Sequence, residues 1–117
     1  VEVGTMLGCA SVIVMDHKAD IVKQIRRMVD FYAHESCGQC TQCREGSAWT
    51  AKLLRRIEEG QGTEEDLDTL MEMTQQMVGT TICVLSDSVA APVQSSIKKF
   101  KDDYLALIRG GERVGAA

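Results

Sequence analysis

Three of the five cysteines in this sequence lie within seven residues, at Cys37, Cys40 and Cys43. On a regular helix, residues at i, i+3 and i+6 would spread over about 120°, because each residue turns the helix by about 100°. Thiols spread in this way would not converge on one metal ion. Gly38 can adopt a positive φ, so a loop here could curl around a larger object and present each sulfur to a different corner of it. The spacing therefore favours a polynuclear cluster over a single ion.

A cluster of this kind needs a fourth thiol, and Cys83 is the candidate. The spacing Cys-x2-Cys-x2-Cys supplies three ligands of one 4Fe-4S cluster in bacterial ferredoxins, where a distant cysteine completes the set. Cys83 lies in another loop, just before a predicted helix start. Four thiolates make such a cluster net negative, so N–H groups at helix N-termini and the cation of Arg44 are suitable neighbours. We predict one 4Fe-4S cluster held by Cys37, Cys40, Cys43 and Cys83.

Other chemistries of clustered thiols remain as alternatives. An odd number of cysteines without a secretory signal argues against a disulfide framework. Structural zinc prefers two separated Cys-x2-Cys pairs, whereas this chain has a triplet and a singlet. Cys37 and Cys40 resemble a redox dithiol, but such motifs follow a strand rather than a helix. A zinc module whose four thiolates staple the helices together is the alternative from a different functional class.

Three further residues are predicted to have structural roles. Cys9 has no partner at ligand spacing, so we expect a small buried hydrophobe. Trp49 follows helical spacing just past the cysteine stretch and is expected in the core. His34 ends a predicted helix, where an imidazole more often meets the helix C-terminus than a metal.

The elements that must position the cysteines are mostly helical. Ser11–Met15 is a short apolar, β-branched run and predicts one strand. After it, apolar residues recur at spacings of three and four, which predicts four amphipathic helices with short connections. The predicted helices cover residues 20–33, 44–59, 63–78 and 87–108, with Asp20, a capping box at Thr63 and Asp87 as start signals and an irregularity at Pro92. The predicted fold is mainly α, a small helical bundle preceded by a β remnant.

Composition excludes some classes of partner. The net charge is −4 and the cations form no stripe, so we predict no nucleic-acid binding. No apolar run approaches the roughly 20 residues of a membrane span, so we predict no direct membrane insertion. The chain begins at Val1 rather than Met, and we expect it to be the C-terminal piece of a longer polypeptide.

Nearly the whole chain resembles the C-terminal region of the flavin- and NADH-binding subunit of respiratory complex I. The residues that carry the resemblance are His34-Glu35-Ser36-Cys37-Gly38, Cys40-Thr41, Cys43-Arg44-Glu45-Gly46, Thr81-Ile82-Cys83 and Pro92-Val93-Gln94. In that family the four cysteines hold the 4Fe-4S cluster that takes single electrons from FMN. The resemblance thus implies Cys37, Cys40, Cys43 and Cys83 as the metal and cofactor ligands, in a four-helix bundle.

The resemblance also implies how the chain is divided and what it works with. Residues 1–19 would be the end of a ubiquitin-like β-grasp domain and a linker, residues 20–109 the four-helix cluster domain, and residues 110–117 a flexible tail. FMN and NAD would bind in the upstream flavin domain, so the isolated chain is expected to pass electrons but not to oxidise NADH. The partners would be that domain and other iron-sulfur subunits, in the cytoplasm or on the cytoplasmic face of the inner membrane. NAD-reducing hydrogenases, NAD-dependent formate dehydrogenases and electron-bifurcating enzymes share such a module and remain alternative parents.

Overall fold

A computed structural model describes residues 8–110 of the chain, and these residues form five α-helices. The predicted tail at 110–117 lies outside the described residues apart from Gly110. The helices are α1 (Ile21–Glu35), α2 (Thr41–Glu58), α3 (Glu64–Met77), α4 (Leu85–Lys99) and α5 (Lys101–Ile108).

The starts of α1 and α3 follow from their capping residues. The Asp20 side chain accepts a hydrogen bond from the Lys23 N–H, 3.1 Å away, and so satisfies a free donor in the first turn of α1. Thr63 and Asp66 form the reciprocal capping box that the sequence predicts, with each side chain bonded to the other's backbone N–H. Both predictions are confirmed.

The first four helices pack in a closed cycle, α1 on α2, α2 on α3, α3 on α4 and α4 on α1. Their apolar stripes meet in one core, and its fully buried members include Val29, Leu54, Ile57, Leu70, Val89 and Val93. Arg26 of α1 binds Glu58 of α2 across the interface and Asp30 on its own helix. The predicted four-helix bundle is therefore confirmed.

The predicted last helix is divided in two at Phe100, whose φ of −124° and ψ of 34° leave the helical region. Helix α4 is continuous through Pro92, so the irregularity that the sequence predicted there does not interrupt it. Beyond the break, the Tyr104 hydroxyl lies 2.8 Å from Ser96 Oγ, and Tyr104 is fully buried. Positions eight apart on a continuous helix are separated by about 12 Å along its axis. The break therefore lets α5 fold Tyr104 back into the core.

The prediction of a strand at Ser11–Met15 is wrong for the described residues, which contain no strand between positions 8 and 110. Val12 and Val14 are 83% and 90% exposed. A strand is stabilised by hydrogen bonds to a neighbouring strand, and the described residues provide none. The β-branched pattern alone is therefore not sufficient. Within the same residues, no helix is long and apolar enough to cross a membrane.

Candidate metal centre

The four candidate cysteines lie at one end of the bundle, at the starts of two helices. Cys37 is in the α1–α2 loop, Cys40 is the N-cap of α2, and Cys43 is in the first turn of that helix. Cys83 lies in the α3–α4 loop, immediately before Val84, the N-cap of α4. Helix α2 begins at Thr41 rather than at the predicted residue 44. Cys43 is therefore helical, and only the segment from Cys37 to Cys40 forms the loop.

The positions of Cys40 and Cys43 direct both side chains to the same helix end. They occupy the N-cap and N3 positions, the two that form a capping box in other helices, although the Cys40 side chain makes no capping hydrogen bond here. Within the described structure, no side chain caps α2 or α4, in contrast to α1 and α3. Each uncapped N-terminus presents N–H donors and a partial positive charge, which favour an anionic ligand.

The loop before Cys40 is held in shape by two contacts to Gly38. This residue adopts the predicted positive φ, 81°, which lets the chain turn back between Cys37 and Cys40. Its carbonyl oxygen accepts a 2.7 Å hydrogen bond from the Arg44 guanidinium, and its N–H donates to Ser36 Oγ at 3.4 Å. The loop is therefore tied to α2 on one side and to the end of α1 on the other.

The loop that carries Cys83 is brought to α2 by a hydrogen bond from the Ile82 N–H to Cys40 Sγ, 3.5 Å long. Ser86 Oγ donates to the Met77 carbonyl oxygen at 2.9 Å, which ties the start of α4 to the end of α3. Thr81 Oγ1 donates to the Cys83 carbonyl oxygen at 2.8 Å and fixes the turn between them. The two cysteine-bearing segments thus meet although they are far apart in sequence.

Asp87 contributes to this arrangement in a way that the sequence prediction missed. It was predicted as the N-cap of the last helix, but α4 begins at Leu85 and Asp87 lies within its first turn. Its Oδ1 instead accepts a 3.0 Å hydrogen bond from the Gly79 N–H. The carboxylate therefore closes the α3–α4 loop rather than starting the helix.

Gly46 allows α2 and α3 to approach closely beside the site. A Cβ atom added to it would lie 2.8 Å from Met77 Sδ, well inside van der Waals contact. Met77 is 2% exposed and ends α3, from which the Cys83 loop departs. A larger residue at this position would require the Met77 side chain to shift.

The thiols differ in burial. Cys43 is 7% exposed, Cys40 is intermediate, and Cys37 and Cys83 are exposed. All of the cysteines in the described residues are unpaired, including Cys9. The site is therefore a surface site whose deepest donor is Cys43.

The donor set fits a 4Fe-4S cluster. Four cysteine thiolates are the usual ligands of such a cluster, and each binds a different corner of it. The uncapped helix N-termini and the donors beside two of the thiols suit a cluster with net negative charge. Among residues 8–110, no three His, Cys, Asp or Glu side chains are grouped closely enough to hold a metal ion, and this includes the four candidate cysteines.

Three expectations outside the cluster have clear outcomes. The prediction that Cys9 is buried is wrong, since Cys9 is exposed. Its Sγ lies 3.3 Å from Ser11 Oγ, and hydrogen bonding with Ser11 lowers the pKa of the Cys9 thiol. Trp49 is 52% exposed rather than in the core, and it lies at the edge of α2, where it lines a surface pocket with Met73 and Gln76 of α3. His34 lies in the last turn of α1 as expected, where it pairs with Glu35.

Comparison with known protein families matches residues 23–107 to the NADH-ubiquinone oxidoreductase-F iron-sulfur binding region. The chain belongs to this family. The match confirms the resemblance drawn from the cysteine motif and its Glu-Ser-Cys-Gly and Cys-Arg-Glu-Gly frame. The cofactor of this NADH oxidoreductase region is a 4Fe-4S cluster, which agrees with the sequence prediction.

Relatives of this family region carry names from the same complex. The chain is 45% identical over 108 residues to an NADH-quinone oxidoreductase subunit of Mycobacterium tuberculosis, covering 92% of this chain and 24% of that protein. It is 50% identical over 114 residues to the mitochondrial NADH-ubiquinone oxidoreductase 51 kDa subunit of Neurospora crassa, covering 92% and 23%. The corresponding 51 kDa protein of Aspergillus niger is 52% identical over 103 residues, with 88% and 21% covered. The chain spans about a quarter of the length of these relatives.

Proposed function

We propose that the chain is a one-electron relay that holds its 4Fe-4S cluster through Cys37, Cys40, Cys43 and Cys83. The observation that carries the proposal is the hydrogen bond from the Ile82 N–H to Cys40 Sγ, because it brings the loop of Cys83 to the start of α2, where Cys40 and Cys43 lie. Each of the four cysteines belongs to a segment that the protein fold has already fixed.

The protein's contribution is placement and electrostatics. When bound, a 4Fe-4S cluster accepts and releases one electron at a time. The four thiolates anchor it, and the N–H groups at the starts of α2 and α4 offset part of the negative charge. The burial of Cys43 removes water from one side, while the exposure of Cys37 and Cys83 leaves an open side for exchange of electrons with a partner.

We further propose that the electrons come from FMN reduced by NADH, with both sites outside these 117 residues, and pass to clusters of other iron-sulfur subunits. The names of the relatives, all subunits of NADH-quinone or NADH-ubiquinone oxidoreductases, support this assignment. The chain alone would then carry electrons without oxidising NADH, as a peripheral part of the complex on the cytoplasmic face of the membrane. Reduction by hydrogen or formate in place of NADH would instead indicate one of the related enzymes as the parent.

Residues 1–19 would belong to the end of a ubiquitin-like domain and residues 20–109 to the cluster domain. The exposure of Val12, Ile13 and Val14 supports this division, because three consecutive β-branched apolar residues are expected to be covered. In the longer polypeptide, hydrogen exchange at these amides should be much slower than in the 117-residue chain. Equal exchange rates in the two proteins would contradict the division.

Metal and sulfide analysis tests the proposed function. The chain is purified without oxygen and reconstituted with iron and sulfide, and we expect a brown protein with about four irons and four sulfides per chain. Colourless protein that binds one zinc and no sulfide would contradict the proposal and support the zinc-stapled alternative. A cluster that cannot be reduced and reoxidised would contradict the relay.

A further inference from the structure

Ser36 immediately precedes the first proposed ligand, but its hydroxyl contacts a different one. Ser36 Oγ lies 3.4 Å from Cys43 Sγ, and the contact is partly buried. Cys43 is the buried member of the four, with 7% of its surface exposed. A hydrogen bond in such a place is electrostatically stronger than one in water, because the surrounding protein is less polarisable.

The direction of this hydrogen bond follows from the state of Cys43 as a ligand, and the other contact of the hydroxyl is compatible with it. The Gly38 N–H donates to Ser36 Oγ at 3.4 Å, which uses the oxygen as an acceptor and leaves the hydroxyl proton available. A cysteine that ligates a metal is a thiolate and has no proton of its own, so Cys43 can only accept. With a cluster bound, Ser36 would therefore be the donor to the ligand sulfur.

A second donor shows that such contacts recur at the site. The Ile82 N–H lies 3.5 Å from Cys40 Sγ, so in the part of the chain that the structure describes two of the four candidate sulfurs receive a hydrogen bond. The Ile82 donor is a backbone group and is present for any residue except proline. Ser36 is the side chain through which the sequence can change this hydrogen bonding.

We propose that Ser36 is a positioning residue that donates a hydrogen bond to the Cys43 thiolate and so raises the reduction potential of the cluster. This inference rests on the proposed function. Reduction adds negative charge that the sulfur ligands share, and a hydrogen-bond donor on a ligand sulfur stabilises the more negative state. Removal of the donor should make the cluster harder to reduce.

The experiment compares three variants of the full chain, each reconstituted with iron and sulfide. Ser36→Ala removes the hydroxyl, and Ser36→Thr keeps it. Ser88→Ala is the matched control, because its hydroxyl donates to the Val84 carbonyl oxygen at 3.0 Å beside the site and not to a thiol. Iron and sulfide are counted first, and the potential is then measured by redox titration followed by electron paramagnetic resonance.

We expect Ser36→Ala to keep its iron and to shift towards a more negative potential by about a tenfold change in the one-electron equilibrium constant, about 59 mV. Ser36→Thr and Ser88→Ala should retain the potential of the parent. A fully loaded Ser36→Ala protein with the parent's potential would overturn the inference and leave the proposed function intact. If the parent chain itself takes up no cluster, the inference about Ser36 and the proposed function both fail.

Loss of the cluster from Ser36→Ala would also be decisive. Rescue by Ser36→Thr, in both iron content and potential, would support the hydroxyl as the donor. A threonine variant that binds iron as poorly as the alanine variant would overturn the inference, because the residue would then act only through packing.

Discussion

Gly46 offers a sharp test of how the helix packing supports the cysteine end of the bundle. Replacing a helical glycine by alanine ordinarily stabilises a protein by about 1 kcal/mol, because alanine has less conformational freedom to lose. Here the new methyl group would lie 2.8, 3.0 and 3.3 Å from Met77 Sδ, Cγ and Cε. Met77 is 2% exposed, so its side chain can give way only by repacking against the apolar pocket that it lines together with Gly46.

Overpacking of a core typically costs about 1–3 kcal/mol. Three atoms of Met77 would be too close, so we take the upper part of that range and subtract the gain in helix propensity. We expect Gly46→Ala to lower the free energy of unfolding by about 1–2 kcal/mol. For a domain of this size each kcal/mol corresponds to about 4–8 °C in Tm. Because Met77 ends the helix before the Cys83 loop, iron retention should decline as well.

A double-mutant cycle followed by urea unfolding separates the two effects. With Met77→Ala present, the clash is absent and Gly46→Ala should stabilise the chain by about 1 kcal/mol. The same substitution should therefore have opposite signs in the two backgrounds. Stabilisation of the parent by about 1 kcal/mol would refute the reasoning, because Gly46 would then behave as an ordinary exposed helical glycine.

Two further predictions concern the buried Tyr104 and the hydrogen bond by which Arg44 holds the loop before Cys40. Burial raises the pKa of Tyr104 from 10.0 to about 12, so the chain should lose about 2–3 kcal/mol of stability as the pH rises through this window. The contribution of Tyr104 to the free energy of unfolding is fully present below pH 10. Unfolding curves measured from pH 10 to about 12 should show this decrease in the parent and not in Tyr104→Phe. Equal decreases in both proteins would refute the assignment of the effect to Tyr104. Arg44→Ala removes the 2.7 Å hydrogen bond to the Gly38 carbonyl oxygen and should speed the release of iron to a chelator, with Arg44→Lys as the control that keeps the charge. Because Arg44 is half-exposed, the free energy of unfolding should change by less than about 0.5 kcal/mol. Iron release from Arg44→Ala at the parent's rate would show that this hydrogen bond does not hold the loop.

Helix positions could be predicted because their signals are local. Capping residues and apolar spacing at three and four identify α1 and α3 to within two residues. The break at Phe100 could not be predicted, because apolar spacing continues through it and the contact of Tyr104 with Ser96 forms only when α5 folds back on α4. The strand at Ser11–Met15 was predicted wrongly for a related reason, since strand formation depends on a partner that the pattern of one segment does not report.

In the candidate site, too, the residues could be predicted from the sequence, whereas the contacts between them could not. Cys37, Cys40 and Cys43 could be named from their spacing within seven residues, and Cys83 from its place in a loop before a predicted helix start. The contacts that hold them were not predicted. Ser36 was visible only as part of the Glu-Ser-Cys-Gly frame, and its contact with Cys43 depends on where α1 ends. The close approach of Gly46 to Met77 likewise requires the packing of α2 on α3.

The most direct test of the account is the iron and sulfide content of two single cysteine variants. Cys83 is distant in sequence from the triplet and is the ligand that the fold must deliver, whereas Cys9 is exposed, unpaired and outside the site. We predict that Cys83→Ser loses most of the 4Fe-4S absorption and that Cys9→Ser keeps about four irons and four sulfides. Full cluster content in Cys83→Ser, or loss of the cluster from Cys9→Ser, would contradict the assignment.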